Sequence, residues 1–362
     1  MRLSQTLPDF PWDSLAAAKA TAQSHPGGIV DLSVGTPADP TPQLVRDALA
    51  GASQAPGYPT AWGSPELRTA IIGYLTRRWN ARGLEDRNVA SAIGTKEVVG
   101  WLPTLLGLGH DDLVVIPEIA YPTYEVGALM AHARIERCDD PARVKGSPSL
   151  IWINSPANPT GAVASAEQMR AWVRFAREHH AVLASDECYG EFAFEAPAFS
   201  VLDPAINDGD LSGLLSVISL SKRSNMAGYR AGYVAGDAAI ATELVALRKH
   251  LGMILPAPIQ AAMVAALNDQ HHADEQKARY AARRALMRSA LEGAGFRIDH
   301  SQGSLYLWAS QGRDGRESVD WLAERGILVA PADFYGPSAH DHVRVSMTAT
   351  DERIAAAAER LA

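Results

Sequence analysis

Apolar positions follow two alternating rhythms along most of this chain. The runs Val89–Ile93, Leu113–Ile116, Leu150–Asn154, Ala181–Ser185, Val217–Leu220 and Ala231–Ala235 are almost continuously apolar. A strand covered on both faces needs no polar side, so these runs predict buried strands of a parallel sheet. Between them the spacing becomes helical. After Ser165, the residues Met169, Trp172, Val173 and Ala176 recur at i, i+3, i+4 and i+7, and Ser165 with Gln168 forms a capping-box pattern. Thr95–Leu106 and Tyr121–Met130 are shorter predicted helices. Strand alternating with helix argues for an open α/β sheet, in which ligands sit at the carboxyl ends of the strands.

The C-terminal part has a different order. Helices are predicted at Pro258–Asn268, His272–Gly293, Val319–Arg325 and Asp351–Leu361, and strands at Phe296–Ile298, Leu305–Trp308 and Val343–Ser346. This is an α+β pattern and a candidate second domain. Periodicity leaves open which unit the N-terminal segment joins.

Composition narrows the function. The chain has 362 residues, 47% hydrophobic and 20% charged, enough for a large domain and a smaller one. Its net charge of −8 offers no broad basic field for nucleic acid or anionic lipid. Two cysteines, Cys138 and Cys188, make neither a disulfide framework nor a zinc pattern, and no metal is expected. The start, MRLSQTLPDFPWDS, lacks a charged region followed by an apolar run, and no segment reaches the roughly 20 apolar residues of a membrane span. A cytoplasmic protein is expected.

Candidate chemistry lies just after the strands. In Ser219-Leu-Ser-Lys222-Arg-Ser-Asn-Met-Ala-Gly-Tyr-Arg230-Ala-Gly a lysine ends an apolar run and an arginine follows eight positions later between glycines. A lysine there is partly desolvated and close to a cation, which lowers its pKa and frees its amine for covalent work, although most lysines are simply solvated. Asn154-Ser-Pro-Ala-Asn158-Pro-Thr-Gly161 is a rigid turn able to aim an amide. Ser185-Asp186-Glu-Cys-Tyr189 offers a carboxylate and a phenol. Singly, each has a plain structural explanation: a stabilised turn, a helix cap, a core tyrosine.

In order, Asn-Pro-Thr-Gly, Asp-x-x-Tyr, Ser-x-x-Lys and the later Arg resemble the fold-type I aminotransferases of classes I and II, which use pyridoxal 5′-phosphate (PLP). The resemblance runs from about Gly35 to Arg344. It implies a large domain over 38–252 with a mostly parallel open sheet, and a smaller α+β domain from 1–37 and 253–362. It makes Lys222 the Schiff-base lysine and the base that moves the Cα proton. Asp186 would pair with the pyridine nitrogen, Asn158 and Tyr189 would meet the ring oxygen, and Tyr121 would stack on the ring. Ser219, Arg230, Thr95 and Lys96 would hold the phosphate, helped by the helix opening at Gly94. Tyr58 matches a tyrosine reaching the phosphate of a neighbouring subunit, which implies a homodimer with shared sites. Arg344 matches the arginine that forks onto the substrate α-carboxylate, and Gly35 a backbone contact beside it. Tyr229 and Met347 stand where tryptophan and an aromatic are common, outside these roles.

At finer grain, Leu7-Pro-Asp-Phe-Pro-Trp12-Asp, Asp31-Leu-Ser-Val-Gly35-Thr-Pro and Gly303-Ser-Leu-Tyr-Leu-Trp308 resemble the actinobacterial N-succinyldiaminopimelate aminotransferases of lysine and cell-wall biosynthesis. That resemblance implies glutamate as donor, 2-oxoglutarate as its product and a succinylated 2-amino-6-oxopimelate as acceptor. Such a substrate calls for cations beyond Arg344, and Arg223 is a candidate. Among competing readings, Ser219-Leu-Ser-Lys222 also fits the Ser-x-x-Lys of penicillin-binding proteins, but it ends a strand and no Lys-Thr-Gly occurs. No Gly-x-Gly-x-x-Gly follows a strand, against a dehydrogenase. A PLP-binding transcriptional regulator would need a basic DNA-binding module. General aspartate-type transamination and a PLP-dependent carbon–sulfur lyase remain compatible with the motifs.

Overall fold

The computed structural model describes residues 7–362, so residues 1–6 of the expected small domain lie outside the described residues. In chain order, α1 (Ala16–Gln23), β1 (Val30–Asp31), α2 (Gln43–Gly51) and α3 (Pro65–Trp79) precede the main sheet. The sheet region runs β2 (Val89–Ile93), α4 (Thr95–Leu105), β3 (Leu113–Ile116), α5 (Thr123–Met130), β4 (Arg134–Arg137), β5 (Leu150–Asn154), α6 (Ala166–Glu178), β6 (Val182–Asp186), α7 (Pro204–Asn207), β7 (Leu214–Ser219), α8 (Leu220–Arg223), β8 (Ala231–Gly236) and α9 (Ala238–Leu251). The rest comprises α10 (Ala257–Asn268), α11 (His271–Gly293), β9 (Arg297–Asp299), β10 (Tyr306–Ser310), α12 (Gly315–Ala323), β11 (Ile327–Leu328), β12 (Ala330–Pro331), β13 (His342–Ser346) and α13 (Asp351–Leu361).

Seven strands form the large sheet in the order β2-β8-β7-β6-β5-β3-β4. Only β8 runs against its neighbours, so the expected mostly parallel sheet is present. β3, β5, β7 and β8 are buried along almost their whole length, which is why their sequences carry no polar face. β4, Arg-Ile-Glu-Arg, escapes that pattern because it is the half-exposed edge strand. α6 starts at Ser165, whose hydroxyl accepts from the Gln168 N–H, while Gln168 Oε1 accepts from the Ser165 N–H. It buries Met169, Trp172, Val173 and Ala176.

The smaller unit is an antiparallel sheet, β12-β13-β10-β9, with α11 and α12 against it and α13 packed on α11. β1 pairs in parallel with β11, Val30 opposite Ile327, and Leu15, Ala18, Ala22 and Leu32 share a core with Trp308, Val343 and Ile354. The N-terminal segment therefore packs with the C-terminal unit. The boundary expected at 252/253 differs from the packing. Leu255, Ala262, Met263 and Ala266 join the core of Val45, Leu67, Ile71 and Tyr233, because α10 lays its apolar face on α2 and α3. The division by packing falls between α10 and α11. Among the described residues, no helix is long and apolar enough to cross a membrane.

Candidate active site

The carboxyl ends of β5, β6 and β7 and the start of α4 open into one cavity of about 860 Å³. Its wall includes Gly35, Thr95, Lys96, Tyr121, Asn158, Asp186, Tyr189, Ser219, Lys222, Arg230 and Arg344, so of the proposed site residues only Tyr58 and the candidate Arg223 stand outside it among the described residues. Tyr58 stands fully exposed on the loop between α2 and α3. It is not a core tyrosine, and it serves no site within its own chain.

At the end nearest α4, Gly94 has φ 70° and caps the helix, and a Cβ there would run into the Arg230 guanidinium. Glycine is thus needed for Arg230 to lie against the first turn, where free N–H groups favour an anion. Ser219 closes β7 and also caps α8, its Oγ accepting from the Ser221 N–H at 3.0 Å and donating to Ser221 Oγ at 2.8 Å. The Ser-x-x-Lys segment therefore both ends a strand and opens one turn of helix, a correction to the strand-end expectation. Lys96 is exposed at the rim of the cavity, and its pKa is lowered by partial desolvation and by Arg230.

In the middle lies Asp186, fully buried. Tyr124 donates to its Oδ2 at 2.7 Å and the Cys188 N–H to its Oδ1 at 3.1 Å. Burial raises its pKa, opposed by the Cys188 and Tyr124 hydrogen bonds. No cation pairs with it among the described residues. Asn154 ties the neighbouring loops together: its Nδ2 donates to the Asp186 carbonyl at 2.9 Å, and its Oδ1 accepts from the Asn158 N–H at 2.7 Å. Tyr121 lines the wall, its hydroxyl pKa pushed up to about 12, chiefly by burial.

Lys222 is the partly buried amine of the cavity and donates to the Gly35 carbonyl. Burial lowers its pKa, with Arg344 and Arg230 adding to the effect and Tyr306 and Cys188 opposing it. Arg344 is 3% exposed, yet no carboxylate faces it among the described residues. Its Nη1 donates to Asn158 Oδ1 at 2.9 Å and its Nη2 to the Ser33 carbonyl at 2.5 Å, while Nε is unpartnered. Burial works against its charge, and the Tyr335, Tyr306, Tyr189 and Tyr121 phenols outweigh it. A buried guanidinium without an acid is built to receive one.

Arg223 is elsewhere. It points away from the cavity into a buried network, donating to Glu191 at 3.0 Å and to the Ala266 carbonyl at 2.7 Å. It cannot meet a substrate carboxylate, because successive residues of one helical turn point in different directions. Two site neighbours, Tyr124 and Tyr306, receive no site role from the sequence, where each reads as a core aromatic.

Residues 28–361 match the model of the aminotransferase class I and II family, and the chain belongs to that family. The particular relatives include a probable aminotransferase of Mycobacterium tuberculosis, 55% identical over 99% of this chain and 86% of that protein. A second is the 4-dedimethylamino-4-oxo-anhydrotetracycline transaminase OxyQ of Streptomyces rimosus, 50% identical over 98% of this chain and 99% of that protein. The solved substrate-bound BacF of Bacillus subtilis superposes with a TM-score of 0.89 at 28% identity, covering 99% of this chain and 95% of that one. The chain has the PLP-dependent transferase fold, fold type I, and its cofactor is PLP. The cavity suits that group. An anion site at a helix start, a buried carboxylate lacking a cation and a desolvated amine match its phosphate, its ring nitrogen and its aldehyde in turn.

Proposed function

We propose that this aminotransferase takes its amino group from glutamate and gives it to a succinylated 2-amino-6-oxopimelate, acting at Lys222 as a cytoplasmic homodimer. One observation carries the reading of the site. Lys222, Asp186 and Arg344 line the same cavity, and among the described residues none of them is ion-paired to a side chain of opposite charge.

PLP, when bound, supplies an electron sink and a carrier for the amino group. Lys222 Nζ, whose ammonium form burial disfavours, takes the proton from the substrate Cα and returns it. Asp186 would provide the counter-charge for a protonated ring nitrogen, and the Tyr124 hydrogen bond holds that carboxylate in place and favours its ionised form. Asn158 and Tyr189 would hold the ring oxygen, and Tyr121 would pack on the ring. Thr95, Lys96, Ser219 and Arg230 hold the phosphate. Arg344 and Asn158 bind the α-carboxylate beside Gly35. Tyr58, which buries nothing in its own chain, is offered to the phosphate site of a second copy.

The succinylated acceptor rests on the motifs around Trp12, Gly35 and Trp308 and on the size of the cavity. The S. rimosus relative supports a second reading, a polycyclic ketone acceptor. A half-reaction screen tests both. The pyridoxamine-loaded protein would be offered 2-oxoglutarate, oxaloacetate, N-succinyl-2-amino-6-oxopimelate and the tetracycline ketone, with pyruvate release from cystathionine followed in parallel. The highest kcat/KM on the succinylated acid supports the proposal. Failure on 2-oxoglutarate removes glutamate as donor, and steady pyruvate release makes the protein a lyase.

A further inference from the structure

Tyr306 falls within the Gly303–Trp308 segment but has been given no role in the site, although it contacts several of the residues that have one. It sits on β10 of the smaller unit, 3% exposed, and reaches the cavity wall. Its hydroxyl is 2.9 Å from the Tyr189 hydroxyl, with the two rings edge to face at 5.6 Å. The Arg344 guanidinium carbon lies 4.1 Å from its ring centroid, nearer than to Tyr335 at 5.2 Å or Trp12 at 5.9 Å. A Cβ at Gly35 would run into its hydroxyl, and the Gly35 carbonyl accepts from Lys222.

We propose that Tyr306 is a positioning residue with two separable functions: its hydroxyl fixes the phenol of Tyr189, and its ring face holds the guanidinium of Arg344. This rests on the assignment of Tyr189 to the cofactor and Arg344 to the substrate carboxylate. A buried phenol takes its direction from its hydrogen-bond partner, and Tyr306 is the partner of Tyr189. Arg344 has two anchors, a carbonyl and an amide oxygen, at its Nη atoms and none at Nε. The ring beneath it supplies attraction to the cation without competing for the remaining N–H groups, which stay free for a carboxylate.

The two functions separate by substitution. Y306F keeps the ring and loses the hydroxyl; Y306L loses both, and Y306M, which fills space more pliantly, replaces it if the leucine protein does not accumulate. Each is studied loaded with PLP, after a melting curve shows that it is folded, beside Y189F and R344M. Y306F should keep the KM for glutamate within about twofold, lower kcat by about three- to tenfold, and move the pH midpoint of the visible band in the same direction as Y189F. Y306L or Y306M should in addition raise that KM by about three- to thirtyfold. A parental midpoint and kcat in Y306F overturn the hydroxyl function. A KM in the leucine or methionine protein equal to that of Y306F overturns the ring function. If Y189F leaves the midpoint alone, or R344M leaves KM alone, the underlying assignments fail instead.

Discussion

The phenol of Tyr124 donates a 2.7 Å hydrogen bond to Asp186 Oδ2, and both side chains are buried. Tyr124 is itself held by Trp152, stacked on it at 5.0 Å. Deleting the hydroxyl with Tyr124→Phe leaves Asp186 with one polar contact fewer while burial still penalises its charge. A hydrogen bond to a charged group is worth about 1.5–3 kcal/mol, so the rate of the glutamate half-reaction should fall roughly ten- to 150-fold. Stopped-flow absorbance checks this, and a parental rate would show that Asp186 needs no help from Tyr124.

Lys222→Ala should fold, as its melting curve would show, and lose the half-reaction by at least about a thousandfold. In the parent, borohydride should bleach the yellow protein and leave a mass increase on the peptide carrying residue 222. A modified peptide elsewhere would move the covalent site.

The lowered pKa of Lys222 predicts a pH dependence. Capture of pyridoxal phosphate by the empty protein requires the neutral amine, so its half-point should lie below the 10.5 of a free lysine. Arg344 contributes to that lowering by repelling the ammonium form. Arg344→Met removes the repulsion, so the half-point should move upward. A half-point at or above the free value in the parent would contradict the burial argument.

Arg344→Lys keeps a charge but loses the planar fork, and kcat/KM for glutamate should drop by about 1.5–3 kcal/mol, roughly ten- to 150-fold. Glutamate and a monocarboxylic amino acid should suffer alike if the fork acts, as proposed, on the α-carboxylate that both share. A loss confined to glutamate would instead place Arg344 at the distal end.

Asp39 gives a prediction about acid stability. Arg283 donates to both of its carboxylate oxygens at 2.7 Å, and Gln276 donates to one at 2.8 Å. Burial raises its pKa, and these hydrogen bonds outweigh it, leaving a value below the ordinary 3.8. A depressed carboxylate contributes stability that is present above its unfolded pKa and lost as pH falls through the folded one. Asp39→Asn should therefore cost about 3 kcal/mol at neutral pH and flatten the decline of stability below pH ~4. Urea titrations at a series of pH values measure both.

Strand existence was legible because burial on both faces leaves an unbroken apolar run, as in Leu113–Ile116. Strand direction was not, since β8 is as apolar as its parallel neighbours. The charged edge strand Arg134–Arg137 showed no run at all. The polar residues after β5, β6 and β7 were readable because they form ordered motifs. Tyr124 and Tyr306 were not, because a tyrosine directing its hydroxyl into a cavity has the same sequence signature as one filling a core. Arg223 misled by adjacency: on α8 its neighbour Lys222 faces the cavity while it faces Glu191. Likewise α10 follows a glycine C-cap that resembles a domain boundary, yet its apolar face returns to the large unit.

The amide of Asn154 clamps the strand end at Asp186 to the turn at Asn158. Both loops are thereby ordered when the chain folds rather than when a ligand arrives. Association with the cofactor should then carry little entropic penalty from loop ordering, and calorimetry should find the heat-capacity change of near-rigid docking rather than that of coupled folding.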